Sequence, residues 1–307
     1  VRGPVWDERS PSLNLPSATA LSSSWDRSIA KRYGAAAAVE ARRKDVDVVL
    51  GPTINLHRSP LGGRHFECFS EDPELSAGLG AAYVRGLQDN GVAATPKHYV
   101  ANDAETDRFT VDVQVDERAL RELYLAPFER TVEAGAWSIM SSYNAVDGVT
   151  MTENDLLKTP LNSEWGFNGV VISDWTAVRS LESVPAAQDL AMPGPAPAWA
   201  DLVDAIRDGR LDEADLDRKV LRILLLAERV GALEGSPEVT PAAIDGVAFV
   251  RKAAIEGSVL LRNEGVLPLD AAGLRRVAVI GQNARDARTQ GGGSATVLPE
   301  RTVSPLD

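Results

Sequence analysis

Residues 166–175 read GFNGVVISDW, and this stretch decides the fold class. Residues 170–173 are apolar and mostly β-branched, a pattern typical of a strand buried on both faces in a parallel sheet. The strand is followed directly by Asp174 and Trp175. Asp is a favoured N-cap, so Asp174 could cap a helix that begins near Thr176. It could equally take part in catalysis, and the ten residues alone leave both interpretations open.

Similar short apolar runs recur on both sides of this stretch, with amphipathic helical patterns between them. The strand-like runs are residues 47–52, 91–99, 137–143, 169–175 and, more weakly, 186–194. The helical patterns are residues 73–91, 116–135, 152–166 and 196–210. Alternating buried strands and helices predict an α/β fold with parallel strands. We expect a (β/α)8 TIM-like barrel, with an open doubly wound sheet as the alternative; no G-x-G-x-x-G follows the early strands, which weakens a dinucleotide-binding fold.

A polar break with the sequence EGSPEVTP, residues 234–241, follows a long helical pattern that begins near residue 211. We therefore predict a barrel domain over residues 1–235 and a linker with a helix over residues 236–275. Residues 276–307 would begin a second α/β sandwich domain, with a strand at residues 277–280 and a flexible QGGGS loop. The chain starts without Met and ends soon after this strand, so we interpret it as a fragment.

Composition excludes several classes of partner. The net charge of −12 argues against nucleic acid and anionic membranes, which both require a concentrated positive field. The single cysteine, Cys68, rules out an internal disulfide, and the three histidines are too scattered for an obvious metal site. No run approaches the ~20 apolar residues of a membrane span, and no apolar leader opens the chain, which favours the cytoplasm. No metal or cofactor is predicted, and the oligomeric state is open.

Polar and aromatic side chains follow the strand-like runs at the ends where parallel β/α folds collect function. These residues are Lys97 and His98, Met140 and Tyr143, Asp174 and Trp175, and, in the loop after residue 52, Arg58, Arg64, Glu67 and Glu71. Each could be structural; Arg64, for example, could simply pair with Glu67 within its loop. Together they suit a neutral polyhydroxylated ligand that develops positive charge, as a sugar ring does in an oxocarbenium-like transition state. Cationic neighbours would keep Asp174 ionised, as a nucleophile requires.

Three longer segments resemble glycoside hydrolase family 3, specifically its β-glucosidase-type members. They are GGRHFECFSEDPELSAGLGAAYVRGLQDNGVAATPKHYVAND (62–103), SIMSSYNAVDG (138–148) and EWGFNGVVISDW (164–175). The resemblance extends over nearly the whole chain, including QGGGSAT (290–296), and the motifs occur in the family's order.

The resemblance implies a role for each matching residue. Asp174 matches the nucleophile of a retaining mechanism, and Glu105 matches a glutamate that supports the histidine. The remaining matches are substrate-binding residues: Arg2, Arg64, Lys97, His98, Met140, Tyr143, Trp175 and Ser294. The implied activity is a retaining β-glucosidase that releases terminal non-reducing β-D-glucosyl residues from a β-glucoside or oligosaccharide substrate.

The second carboxyl group of a retaining mechanism is not identified in this sequence. In the β-glucosidase-type members it is a glutamate of the second domain, which we expect beyond residue 307. The N-acetylglucosaminidase branch uses an Asp–His dyad instead, but residues 100–112 contain no histidine. The alternatives are a β-xylosidase or α-L-arabinofuranosidase of the same family, or a non-catalytic sugar-binding fragment. From the residues alone, Lys97 could also form a Schiff base, as in class I aldolases.

Overall fold

The computed structural model describes residues 10–307, and its helices and strands alternate over most of the chain. The helices are α1 (Ala18–Ser22), α2 (Arg27–Arg42), α3 (Pro73–Gln88), α4 (Glu117–Ala119), α5 (Ala126–Glu133), α6 (Leu202–Arg207), α7 (Glu213–Arg229) and α8 (Gly246–Glu256). The strands are β1 (Val48–Val49), β2 (Ala93–Ala94), β3 (Lys97–Tyr99), β4 (Asp112–Val113), β5 (Ser138–Ser141), β6 (Ala145–Val146), β7 (Val149–Thr150) and β8 (Val170–Ser173). Across this part of the chain, no helix has both the length and the hydrophobicity needed to cross a bilayer.

The strands at the centre of the fold run parallel, as the sequence predicts. β1 pairs with β2, and β3, β5 and β8 form a sheet in that order. Single bridges extend the arrangement from Thr53 to Lys97 on one side and from Ile172 to Leu190 on the other. The α/β class is therefore confirmed. Within residues 10–307 the strands form separate short sheets and do not close into a complete barrel.

The predicted helices over residues 73–91 and 116–135 fold differently from each other. α3 begins where the Asp72 carboxylate accepts hydrogen bonds from the backbone N–H groups of Glu74 and Leu75. It crosses α2 so closely that a Cβ on Gly86 would lie 2.1 Å from the Lys31 carbonyl oxygen. Residues 116–135 start at the predicted cap, Asp116, but the helix widens between α4 and α5 into a π-helical segment.

Three sequence predictions need correction. Residues 152–166 form only a short turn at Asp155–Leu157 and an irregular segment, because Pro160 holds the preceding Thr159 in an extended conformation (φ −133°, ψ 116°). Residues 186–194 contribute a single bridge and no strand. Residues 277–280 form no strand either; they have no ladder partner among residues 10–307, and Ile280 is 90% exposed. A strand needs at least one hydrogen-bonded neighbour, which an apolar run does not supply by itself.

The strands separate two environments. Ile139 and Val171 face the main hydrophobic core, in which Tyr99 and Phe128 form a T-shaped pair with centroids 5.1 Å apart. Because successive side chains alternate across a strand, Met140 lies on the opposite face of β5 from Ile139. The main hydrophobic core therefore lies against one face of β5 and β8, and Met140 lies on the opposite face.

A buried acid joins α7 to β8. The Asp189 carboxylate is fully buried, and its Oδ2 accepts hydrogen bonds from the backbone N–H of Val171 and from Nη1 of Arg222, both at 2.9 Å. Its Oδ1 lies 3.9 Å from Nζ of Lys219. This cluster ties the strand that precedes Asp174 to the last long helix of the predicted barrel domain.

Candidate functional site

Asp174 lies where the sequence places it, one residue beyond β8, and it is 9% exposed. No helix starts at Thr176, so the capping interpretation is wrong. The carboxylate Oδ1 instead accepts a hydrogen bond of 2.7 Å from the backbone N–H of Trp175. The backbone N–H of Asp174 donates to the carbonyl of Ser141 at the end of β5, which extends the sheet hydrogen bonding by one residue. The carboxylate is therefore fixed by the ends of two adjacent strands.

β3 delivers Lys97 and His98 to the same place. Nε2 of His98 lies 3.5 Å from Oδ2 of Asp174. Burial lowers the pKa of His98 well below its usual value, and the charges of Lys97 and Arg64 lower it further. The imidazole is therefore neutral, and its contact with Asp174 is not an ion pair. Burial also lowers the pKa of Lys97, whereas the neighbouring Glu67, 3.8 Å from Nζ, opposes that shift.

Arg64 connects these groups from the loop after β1. Its Nη2 donates to Oε2 of Glu67 at 3.0 Å, and its Nη1 lies 3.2 Å from Nε2 of His98 and 3.4 Å from Oε1 of Glu105. Arg64 thus pairs with Glu67 within its loop and also contacts His98, a predicted site residue. Glu105 reaches His98 only through Arg64, since both of its carboxylate oxygens are held by arginines, Arg64 and Arg108.

Tyr143 completes the surroundings of Asp174. Its hydroxyl lies beside the Asp174 carboxylate, and burial, then the Asp174 charge, raise the pKa of that hydroxyl. The phenol therefore stays protonated. Arg108 stacks over the Tyr143 ring at 4.8 Å, and Phe109 contacts the same ring with centroids 4.6 Å apart. Arg108 and Phe109, which both lie in the loop after β3, thus hold the Tyr143 ring in place.

The other predicted site residues are placed less centrally. Met140 is 2% exposed within β5, whereas Trp175 is 37% exposed beside the nucleophile candidate. Ser294 is exposed in the turn Gly293–Ala295, and no hydrogen bond of the described residues joins it to Asp174. Its loop comes close to Phe66 instead: a Cβ on Gly291 would lie 2.8 Å from that ring. Arg2 lies outside the described residues.

The sequence assigns no specific role to three residues of the cluster. Glu67 is one of the polar residues expected near the strand ends and a possible partner for Arg64, and in the structure it also faces Lys97. Arg108 gave no signal beyond its charge. Asn55, 4% exposed, makes three hydrogen bonds to His98, and an isolated Asn after an apolar run predicts no such contact.

The arrangement supports nucleophilic chemistry on a ligand rich in hydroxyl groups. One carboxylate is oriented by a backbone N–H and has a phenol beside it, and cationic and neutral hydrogen-bonding groups surround it. Within residues 10–307, no three His, Cys, Asp or Glu side chains are grouped so as to hold a metal ion.

Comparison with known families gives two consecutive matches. The profile described as glycosyl hydrolase family 3 N terminal domain matches residues 7–226, and the profile described as glycosyl hydrolase family 3 C-terminal domain matches residues 258–307.

Individual relatives agree with these matches. A β-glucosidase of Rhizobium radiobacter is 48% identical over 95% of this chain and 37% of its own length. An exo-α-(1→6)-L-arabinopyranosidase of Bifidobacterium breve is 40% identical over 98% of this chain and 41% of its own length. The structure of β-glucosidase 3B from Thermotoga neapolitana in complex with glucose superposes with a TM-score of 0.89 at 37% identity, covering 99% of this chain and 44% of that one. The chain thus spans about two fifths of the length of the curated relatives it matches.

Proposed function

The chain belongs to glycosyl hydrolase family 3, and from this premise we propose that the protein is a retaining β-glucosidase. Its substrate would be a β-glucoside or oligosaccharide with a terminal non-reducing β-D-glucosyl residue. The observation that carries the proposal is the buried Asp174 carboxylate, which accepts from the Trp175 N–H, lies next to His98 and has the Tyr143 hydroxyl nearby. Relatives named β-glucosidases support glucose as the sugar.

Asp174 would act as the nucleophile. A carboxylate oxygen bonds to the anomeric carbon as the bond from that carbon to the leaving-group oxygen breaks, which produces a covalent glycosyl-enzyme. Water then releases the sugar and regenerates the carboxylate. The Trp175 N–H would fix the direction of attack, because it donates to the Asp174 carboxylate at 2.7 Å. The protonated Tyr143 hydroxyl beside the carboxylate would add a second donor.

Arg64, Lys97 and His98 would hold the sugar hydroxyls. His98 contacts the Asp174 carboxylate, Arg64 contacts His98, and Lys97 faces Glu67, which Arg64 also binds. The side chains of Arg64, Lys97 and His98 are 18%, 12% and 3% exposed. Trp175 and Met140 would add apolar contact surface, and Arg2 and Ser294 keep the binding roles that the family resemblance gives them. Glu105 would support His98 indirectly, through Arg64.

The general acid/base would be neither Glu67 nor Glu105. Each accepts hydrogen bonds from at least one guanidinium, which suits a carboxylate and opposes an acid that must donate a proton. We propose that a further carboxyl group supplies this function, as expected from the sequence. We also propose that the chain comprises a barrel domain over residues 1–235, a linker with a helix over residues 236–275 and the start of a second α/β sandwich domain over residues 276–307.

A pentose is the second candidate for the sugar, because a relative of similar identity bears the name arabinopyranosidase. The Schiff-base alternative is weaker, since Nζ of Lys97 faces the Glu67 carboxylate, whose charge favours the ammonium form.

A 2-deoxy-2-fluoro glucoside with a good leaving group tests the proposal in the intact protein. The fluorine slows both chemical steps, so the glycosyl-enzyme should accumulate, and peptide mapping should locate the label on Asp174. Asp174→Asn should take up no label, whereas the control Asp147→Asn, an exposed acid in the hairpin between β6 and β7, should label normally. Label on Glu67 or Asp147 would refute the assignment of the nucleophile.

A further inference from the structure

The hydrogen bonds around His98 decide which of its ring nitrogens carries the proton. The side-chain amide of Asn55 meets His98 at three atoms: Oδ1 accepts from the His98 backbone N–H at 2.8 Å and lies 3.0 Å from Nδ1, and Nδ2 donates to the His98 carbonyl at 3.0 Å. A flipped amide would set oxygen against that carbonyl and nitrogen against that N–H, so the orientation is fixed. Since Oδ1 can only accept, Nδ1 must be the protonated nitrogen.

The opposite side of the ring leads to the same tautomer independently. Nη1 of Arg64 lies 3.2 Å from Nε2 of His98. A guanidinium can only donate, so Nε2 must offer a lone pair. Every cation that faces the ring, namely Lys97, Arg64 and Arg108, lowers the His98 pKa in addition to the effect of burial. The neutral ring therefore has one proton, on Nδ1.

The contact between His98 and Asp174 follows from this. Nε2 and the Asp174 Oδ2, 3.5 Å apart, are both acceptors, so no hydrogen bond joins them. The space beside Nε2 and Oδ2 therefore favours a ligand group that donates a hydrogen bond. A hydroxyl fits there, whereas an ether or carbonyl oxygen would face lone pairs on both sides.

We propose that Asn55 is a positioning residue that locks His98 as the Nδ1–H tautomer, so that Nε2, which takes the Arg64 Nη1–H in this structure, can meet a hydroxyl of the bound ligand only as an acceptor. The proposal rests on the proposed function for the identity of that ligand, a sugar. The tautomer itself does not depend on any activity. Asn55 is 4% exposed, and the hydrogen bonds of its side chain go to His98.

Nitrogen NMR of the intact protein with 15N-labelled histidine tests the tautomer directly. We expect the His98 signals of a protonated Nδ1 and an unprotonated Nε2 near neutral pH, assigned by their loss in His98→Gln. Asn55→Ala removes the acceptor for Nδ1–H and leaves only the 3.2 Å contact with Arg64 to favour this tautomer, so part of the ring should shift to the Nε2–H form. We expect kcat/KM for an aryl β-glucoside to fall about tenfold, as for a buried hydrogen bond left incomplete. Asn55→Asp keeps an acceptor for Nδ1 but adds a negative charge, so it should raise the His98 pKa and make the imidazolium visible.

Asn90→Ala is the matched control. Asn90 is 5% exposed and also bonds backbone groups through both amide atoms, the Gly86 carbonyl and the Ala242 N–H, away from His98. It should leave the His98 signals unchanged. A protonated Nε2 in the unaltered protein, or an unchanged tautomer in Asn55→Ala, would overturn the proposal. The expected tautomer in a protein that hydrolyses no glycoside would instead overturn the proposed function alone.

Discussion

Replacing Asp189 by Asn should destabilise the protein through charge alone. The Asn oxygen can still accept from the Val171 N–H, so the backbone hydrogen bond of β8 survives. The positive charges of Arg222 and Lys219, whose side chains are 11% and 3% exposed, lose their only carboxylate partner within the cluster. Removing one partner of a buried ion pair typically costs about 3–5 kcal/mol. Arg222 keeps hydrogen bonds to Asn162 and Phe167, so we expect the lower end, about 3 kcal/mol.

Urea unfolding of the domain that contains β8 measures this loss. Asp155→Asn is the control, because Asp155 is 89% exposed and its pair with Lys158 is solvated; we expect a change below about 0.5 kcal/mol. Asp189→Asn combined with Arg222→Met should cost less than the sum of the single changes, because the two groups are in contact. A loss below about 1 kcal/mol for Asp189→Asn, or strict additivity with Arg222→Met, would show that packing and not charge holds α7 on β8.

Two further predictions concern α7 and the linker after it. Burial lowers the pKa of Lys219 to about 8, so between pH 8 and the ordinary lysine range the unfolded chain binds more protons than the folded one. The free energy of unfolding should therefore rise with pH in that range. Lys219→Met should remove this rise when unfolding is measured as a function of pH, and an unaltered pH profile would contradict the lowered pKa. Residues 234–241 are without helix or strand and mostly exposed, so limited proteolysis should cut there before it cuts within residues 91–175, and earlier cleavage within 91–175 would contradict the predicted boundary.

The strand that ends at Asp174 was predictable because burial on both faces imposes an unbroken apolar run. The helix over residues 73–91 was predictable for a similar reason: its apolar period and its Asn90-Gly91 stop are local signals, and the structure ends α3 at Gln88. The strand at residues 277–280 was not formed although its pattern is equally apolar. A strand needs a hydrogen-bonding neighbour, and a single stretch of sequence does not reveal whether one is present.

The candidate site was predictable only where a residue lies within or directly after a central strand. Lys97 and His98 lie in β3 and Asp174 follows β8, and parallel pairing of β3, β5 and β8 brings them together. Asn55 and Arg108 lie in loops, where the side-chain direction depends on the path of the whole loop. Their contacts with His98 and Tyr143 therefore have no signature in the sequence.

The acids around Arg64 and Lys97 have a consequence for the proposed reaction. Arg64, Lys97 and Arg108 are matched by Glu67, Glu105 and Asp174, and His98 is neutral, so these groups sum to no net charge. At ~5 Å and an effective dielectric constant of ~20, one uncompensated cation would repel an oxocarbenium-like ring by about 3 kcal/mol. Without Glu67 and Glu105, the donors that bind sugar hydroxyls would oppose the charge that develops on the same sugar. Glu67 and Glu105 would thus let the site use cationic hydrogen-bond donors around a cationic transition state. Asp174 would remain the carboxylate closest to the positive charge that develops on the sugar.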